Sequence, residues 1–114
     1  MTSIQNNVLH ISEAATSRLL PELPLPFSVL FERGDVSVEL YAPRGSDTQS
    51  PHTRDELYII ASGSGTFRRA DQVCEFEAGD LLFVSAHVEH RLESFSDDFR
   101  TWVIFFGPEG GVQV

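Results

Sequence analysis

His52, Glu56 and His90 are the residues of this chain whose types and spacing suit chemistry. His52 and Glu56 stand four apart across the start of the apolar run Leu57 to Ala61, so a bend over Pro51 to Asp55 aims an imidazole and a carboxylate at one point. His90, in HVEHRLESF, opens a later strand after the turn signal Gly79-Asp80. Imidazole nitrogen with carboxylate oxygen suits the first-row divalent metals, so the three are candidate ligands of Fe, Mn, Zn or Ni.

The elements that must position them belong to a short chain. Its 114 residues build one domain and one core. Eight Lys and Arg stand against 17 Asp and Glu, a formal net charge of -9 with no compensating basic block, which makes nucleic acid and anionic membrane surfaces poor partners. The first residues have neither the basic flank nor the apolar run of a signal peptide, and no apolar stretch approaches the roughly 18 residues of a membrane span. A cytoplasmic protein is expected. Cys74, the single cysteine, excludes an internal disulfide and a thiol-rich metal site, and reads as a half-buried strand thiol.

Residues 1–26 read as an N-terminal arm. Ser12 offers an N-cap and Ala14, Ala15, Leu19 and Leu20 an apolar stripe for one short helix near residues 12 to 20, stopped by Pro21. Such a short helix is marginal alone and must dock on the body of the domain. Pro21, Pro24 and Pro26 form an extended connector.

From Phe27 the hydrophobic period is two. Ser28 to Arg33 and Val36 to Tyr41 form a hairpin around Gly34-Asp35, and the polar loop APRGSDTQSP leads to His52. Strands follow over Leu57 to Ala61, Thr66 to Arg69, Val73 to Phe76, Leu81 to Val84, His90 to Phe95 and Phe99 to Phe106. Residues 27–107 are therefore an all-β barrel or sandwich, and 108–114 a glycine-rich tail lying loosely on the surface.

The stretch around His52 resembles the first motif of the cupin superfamily, G(X)5HXH(X)3-4E(X)6G, and Gly79 to Ser94 resembles the second, G(X)5PXG(X)2H(X)3N. His52, Glu56 and Gly63 stand at the right separations, while the preceding His falls on Ser50 and the opening Gly is displaced to Gly45. Gly79 and His90 fit the second motif, whereas its turn proline, turn glycine and Asn fall on Ser85, His87 and Ser94. The resemblance implies a cupin-type jelly-roll β-barrel that binds a divalent metal through His52, Glu56 and His90. With a hydroxyl at Ser50, the usual three His and one Glu become two His and one Glu, similar to the facial arrangement of non-haem Fe(II) oxygenases with positions open for substrate and O₂. The alternative is a decayed site, an empty barrel with a hydrogen-bonded His and Glu cluster.

Gln49 replaces the lost ligand only where its loop bends. His87 sits in an exposed turn, His10 lies outside both motifs, and Asp55, pointing away from Glu56, reads as a solvated carboxylate. Alternation puts Tyr58 and Ile60 on the Glu56 face, which makes Tyr58 either core or a substrate-orienting catalytic phenol. On the last strand, Trp102, Ile104 and Phe106 share one face and Thr101, Val103 and Phe105 the other, with either set able to face inward. Arg54, Arg68, Arg69 and Arg91 lie near motif positions and read as solvated surface arginines, with capture of a substrate carboxylate as the alternative. Leu57 to Ile60, Leu81 to Val84 and Trp102 to Phe106 want burial on both faces, which predicts a homodimer packed sheet against sheet.

Three function classes follow. The first is a small metal-dependent enzyme, oxygenase-like or isomerase-like, acting on a small polar chelating molecule; the second is a non-catalytic module binding a small-molecule ligand; the third is a vestigial barrel without metal.

Overall fold

The computed structural model describes residues 4–113. Eight strands form two sheets. β1 (Phe27–Arg33), β2 (Val36–Tyr41), β3 (Asp55–Ser62), β6 (Leu81–Val84) and β8 (Arg100–Phe106) make a five-stranded sheet in the order β1-β2-β8-β3-β6. β4 (Ser64–Arg69), β5 (Gln72–Glu77) and β7 (His90–Phe95) make a three-stranded sheet in the order β5-β4-β7. Every strand pair is antiparallel. The inner faces of the two sheets enclose the core in a jelly roll.

The chain changes sheets at Gly63, between β3 and β4. Its φ of +89° is one that a side chain rarely adopts, and a Cβ there would stand 2.7 Å from Phe99 Cα. Glycine is thus required twice over, by conformation and by space. Past this point alternation sorts the side chains. Glu56, Tyr58 and Ile60 of β3 face inward and are at most 2% exposed, and Thr101 and Val103 of β8 are fully buried beside them. The inward set of the last strand is therefore Thr101, Val103 and Phe105. Phe67, Phe76 and Leu92 complete the core from the smaller sheet. Each such side chain, fully buried, contributes on the order of 1.5–3 kcal/mol.

α1 (Glu13–Leu19) begins where Ser12 Oγ accepts the Ala15 N–H at 3.0 Å, the expected N-cap. The α-helix ends before Pro21, as expected. A 3₁₀ turn, Leu20–Glu22, continues past it, since proline lacks only an N–H that a tighter turn can spare. The carbonyls left at this end are collected by Arg44, whose Nη2 donates to Leu20 O at 2.9 Å and Leu23 O at 2.7 Å. Of the expected apolar stripe only Leu20 is buried, with Leu40 of β2 also fully buried; Leu19 is exposed.

Three other expectations are corrected. Cys74 is exposed, because β5 is a sheet edge and β6 does not pair with it. Asp55 is buried and accepts the Ala86 N–H at 2.8 Å, because β3 starts earlier than its apolar run and draws Asp55 into the sheet. The tail is tied down: Gly110 N–H donates to Thr53 O at 2.7 Å, and Glu109 lies 3.7 Å from Arg54. No helix among the described residues is long and apolar enough to cross a membrane.

Candidate metal centre

Glu56 is the second residue of β3 and His90 the first of β7, so two sheets bring them together in the barrel interior. Glu56 Oε1 and His90 Nε2 are 2.9 Å apart, with both side chains 1% exposed. The His90 ring is oriented from behind, where Nδ1 lies 2.9 Å from Val88 O. A backbone carbonyl can only accept, so Nδ1 carries a proton and Nε2 of the neutral ring offers its lone pair. His52 comes from the loop before β3. Its main-chain carbonyl accepts the His87 N–H at 2.7 Å, which fixes the loop, and its ring stands edge-on to Phe105 at 4.8 Å. Ligand atoms of His52, Glu56 and His90 all lie within 4.8 Å of one another.

Although Glu56 and His90 approach closely, the approach is not aligned as a hydrogen bond. Glu56 Oε2 and His90 Nε2 are buried with no hydrogen-bond partner among the described residues. Native proteins rarely leave two such atoms unsatisfied side by side. A divalent cation held by two imidazole nitrogens and a carboxylate would satisfy both, so the residues present fit a metal ion.

Charge at the site is tuned in opposite directions. Burial alone would lower His90, but the close Glu56 carboxylate, the Val88 carbonyl and the Asp47 charge outweigh it, and the imidazole titrates above its ordinary value. His52 titrates below its ordinary value, because burial and the neighbouring His90 outweigh the pull of Glu56. Burial drives the Tyr58 hydroxyl far upward, so it stays protonated.

Tyr58 is fully buried, and its hydroxyl exchanges hydrogen bonds with the Gln49 amide, at 3.2 Å from Nε2 and 3.4 Å from Oε1. Ser50 is exposed. His87 is exposed too, with φ +69°, the left-handed conformation for which the motif carries glycine. His10 is exposed and remote from the cluster in sequence. Among the arginines, Arg54 donates to Asp35 O at 2.8 Å, Arg68 pairs with Glu93, Arg69 donates to Phe83 O at 3.0 Å and Arg91 to Asp47 O at 2.6 Å. All four have partners within the protein.

Two carboxylates were missed by sequence reasoning. Glu39 lies on β2 between Ser37 and Tyr41 and faces inward with them. It lines a cavity of about 430 Å³ with Phe27, Thr48, Gln49, His52 and Phe105. Burial, with the Glu56 charge added, raises its carboxyl to about 7. The signal was there in VSVELY, where a charge shares the parity of an inward tyrosine. Asp47 is 2% exposed and accepts from Tyr41 OH at 3.0 Å and Leu92 N–H at 2.9 Å. Nothing periodic in the polar loop marks it.

The fold and the cluster define a jelly-roll barrel with three candidate metal ligands gathered in it. Residues 37–105 match the cupin domain family. The chain belongs to that family. It is 34% identical over 77 residues to an uncharacterised protein of Streptomyces coelicolor, covering 66% of this chain and 73% of that one. The fold is similar to a cupin-2 domain containing protein from Shewanella frigidimarina, with a TM-score of 0.69, 21% identity, and 85% and 94% of the two chains covered. It is also similar to an RmlC-like cupin with a double-stranded β-helix fold from Methanocaldococcus jannaschii, with a TM-score of 0.66, 18% identity, and 91% and 93% covered.

Proposed function

We propose that this cupin is a small metal-dependent enzyme, oxygenase-like or isomerase-like, acting on a small polar molecule that chelates the metal through two oxygens. The observation that carries the reading is the pair of buried, unpartnered atoms, Glu56 Oε2 and His90 Nε2, in one cluster with His52 beside an open cavity. His52, Glu56 and His90 would hold the ion. When bound, a divalent ion there supplies Lewis acidity or, as iron, a redox centre.

The remaining work falls to the cavity. Phe27 and Phe105 give it aromatic walls that exclude water and suit a flat hydroxy-acid, diketone or catechol-like molecule. Among the described residues no arginine lines it, though Arg54 stands over the Phe105 ring at 5.9 Å, so a negative charge on the substrate would be met chiefly at the metal. Glu39, whose carboxyl burial and the Glu56 charge raise to about 7 without an ion, would be drawn lower by a cation on Glu56 and so would act as a proton acceptor on the cavity wall. Tyr58 reaches the site through Gln49 and acts as a positioning group for it.

Metal analysis of protein purified without chelator tests the first half of the reading, and one equivalent of a first-row metal per chain is expected. Thermal melting with a panel of hydroxy-acids, diketones and catechols tests the second. Metal without any stabilising chelator would favour a non-catalytic binding module, and absence of metal a vestigial barrel. The protein is taken to work in the cytoplasm as a homodimer, on the grounds of its composition and of the apolar outer face of the larger sheet.

A further inference from the structure

We infer that Gln49 supplies a fourth protein ligand, its amide oxygen, in place of the side chain that Ser50 cannot provide. The inference rests on the metal reading of the site and concerns a residue one position away from where the family motif puts its ligand. Ser50 points to solvent, while Gln49 is turned inward.

The turn has a cause in Asp47. Asp47 Oδ1 accepts the Gln49 main-chain N–H at 3.1 Å, and Oδ2 lies 3.2 Å from Gln49 Nε2. An ionised carboxylate only accepts, so the amide nitrogen must face Asp47. The amide oxygen is thereby forced to the opposite side, where Oε1 accepts a hydrogen bond from His52 Nε2–H at 3.2 Å, a proton that a bound ion would displace. Asp47 is itself held by Tyr41 and Leu92, so the orientation is built into the core and does not depend on a mobile loop side chain.

Two ligand atoms at ~2.1 Å from one ion and at right angles stand ~3.0 Å apart. The hydrogen-bonded Gln49 Oε1 to His52 Nε2 distance of 3.2 Å and the Glu56 Oε1 to His90 Nε2 distance of 2.9 Å are close to that spacing, so an ion would fit among these atoms with little rearrangement. An amide oxygen has two lone pairs; Tyr58 OH, at 3.4 Å, takes at most one of them. The set becomes two nitrogens and two oxygens, a harder set than three imidazoles and a carboxylate. It shifts preference toward Mn²⁺ and Fe²⁺ over Ni²⁺ and Zn²⁺.

Calorimetric titration of chelator-stripped protein with Mn²⁺ and with Ni²⁺ tests this, using wild type, Gln49→Ala, Gln49→His and His90→Ala. Gln49→Ala should weaken Mn²⁺ by at least ~10-fold, the floor for residues that only orient a ligand. Gln49→His, which exchanges an oxygen donor for nitrogen, should raise the Ni²⁺ to Mn²⁺ affinity ratio by ~10-fold or more. If Gln49→Ala leaves both affinities within about twofold, or weakens both alike while Gln49→His leaves the ratio unchanged, Gln49 is not a ligand. Should Gln49→Ala fail to fold by circular dichroism, the ratio in Gln49→His decides alone. A wild type that binds neither ion, or a His90→Ala variant that binds as wild type does, would instead remove the metal reading and this inference with it.

Discussion

Glu56 Oε1 stands 2.9 Å from His90 Nε2 in the barrel interior, joining the second residue of β3 to the first of β7 across the gap between the two sheets. Neither this nitrogen nor the second carboxylate oxygen has an aligned hydrogen bond among the described residues, so the barrel brings the two groups together and leaves both atoms free for a further partner. His52→Ala and His90→Ala should therefore each lower metal content per chain by an order of magnitude, the scale seen when ligand sets are disturbed. His10→Ala, at an exposed residue, should leave it unchanged. Equal metal content in the His52 and His10 variants, by plasma emission spectrometry, would refute the assignment.

Stability against pH should carry the signature of Glu39. Its folded carboxyl is raised from 4.5 to about 7, so the folded state binds more protons than the unfolded state across that window. The contribution is fully present below the unfolded value and is lost as pH rises through about 7. A tenfold difference in proton affinity between the folded and unfolded carboxyl is worth ~1.4 kcal/mol at most, and less where solvent reaches the group. Urea unfolding of chelator-stripped protein at pH 5 and pH 8 should show wild type losing stability relative to Glu39→Gln. A constant difference between the two would mean that Glu39 does not titrate in that range.

Asp47 should matter to the fold as much as to the site. Asp47→Ala leaves the Leu92 N–H and the Tyr41 hydroxyl unsatisfied in the interior, at a cost of ~1–3 kcal/mol each. Asp71→Ala, at an exposed turn residue, should stay within ~0.5 kcal/mol of wild type. Comparable urea midpoints for the two variants would show that the Asp47 network contributes nothing net.

Glycine substitutions separate space from conformation. A Cβ at Gly65 would overlap the Ser94 carbonyl oxygen and lie 2.7 Å from Phe76 in the core, so Gly65→Ala must push β4 away from β7. Gly79, with φ +93° and open space around it, pays only for conformation, ~1–2 kcal/mol. Gly65→Ala should melt well below Gly79→Ala in differential scanning calorimetry, and the reverse order would mean that the sheet yields there at little cost.

The outer face of the larger sheet bears on assembly. Leu81 and Phe83 are 58% and 40% exposed, next to half-buried Leu57, Ile59, Trp102 and Ile104. Contiguous apolar surface of this kind is rare on soluble monomers. Sedimentation equilibrium should give twice 12.7 kDa at micromolar concentration, and Phe83→Glu should halve it. A wild-type mass of 12.7 kDa would exclude the dimer.

Much of this was legible in the sequence because strands advertise themselves by alternation. Leu81–Val84 and His90–Phe95 were bounded to the residue, since Gly79-Asp80 and the Ser85 to Glu89 turn punctuate them. That His52, Glu56 and His90 approach one another could be read because their spacing is tied to those strands. What escaped was decided by tertiary contact. Asp55 became a buried acceptor only because the turn at Ala86 comes to lie over it, and Asp47 reaches Leu92 across 45 positions. Cys74 lost its cover because the two sheets do not close over β5, a gap that no local pattern encodes.

The segment bearing His52 is sewn down at three points, by His87 N–H on its carbonyl, by Gly110 N–H on Thr53 O and by Arg54 on Asp35 O. One of those stitches comes from the last few residues of the sequence. A segment fixed in this way would need little ordering to take up an ion, which would favour binding. The same stitch ties the tail to the candidate site: if an ion is held there, loosening Gly110 should speed its release before it changes which metal is held.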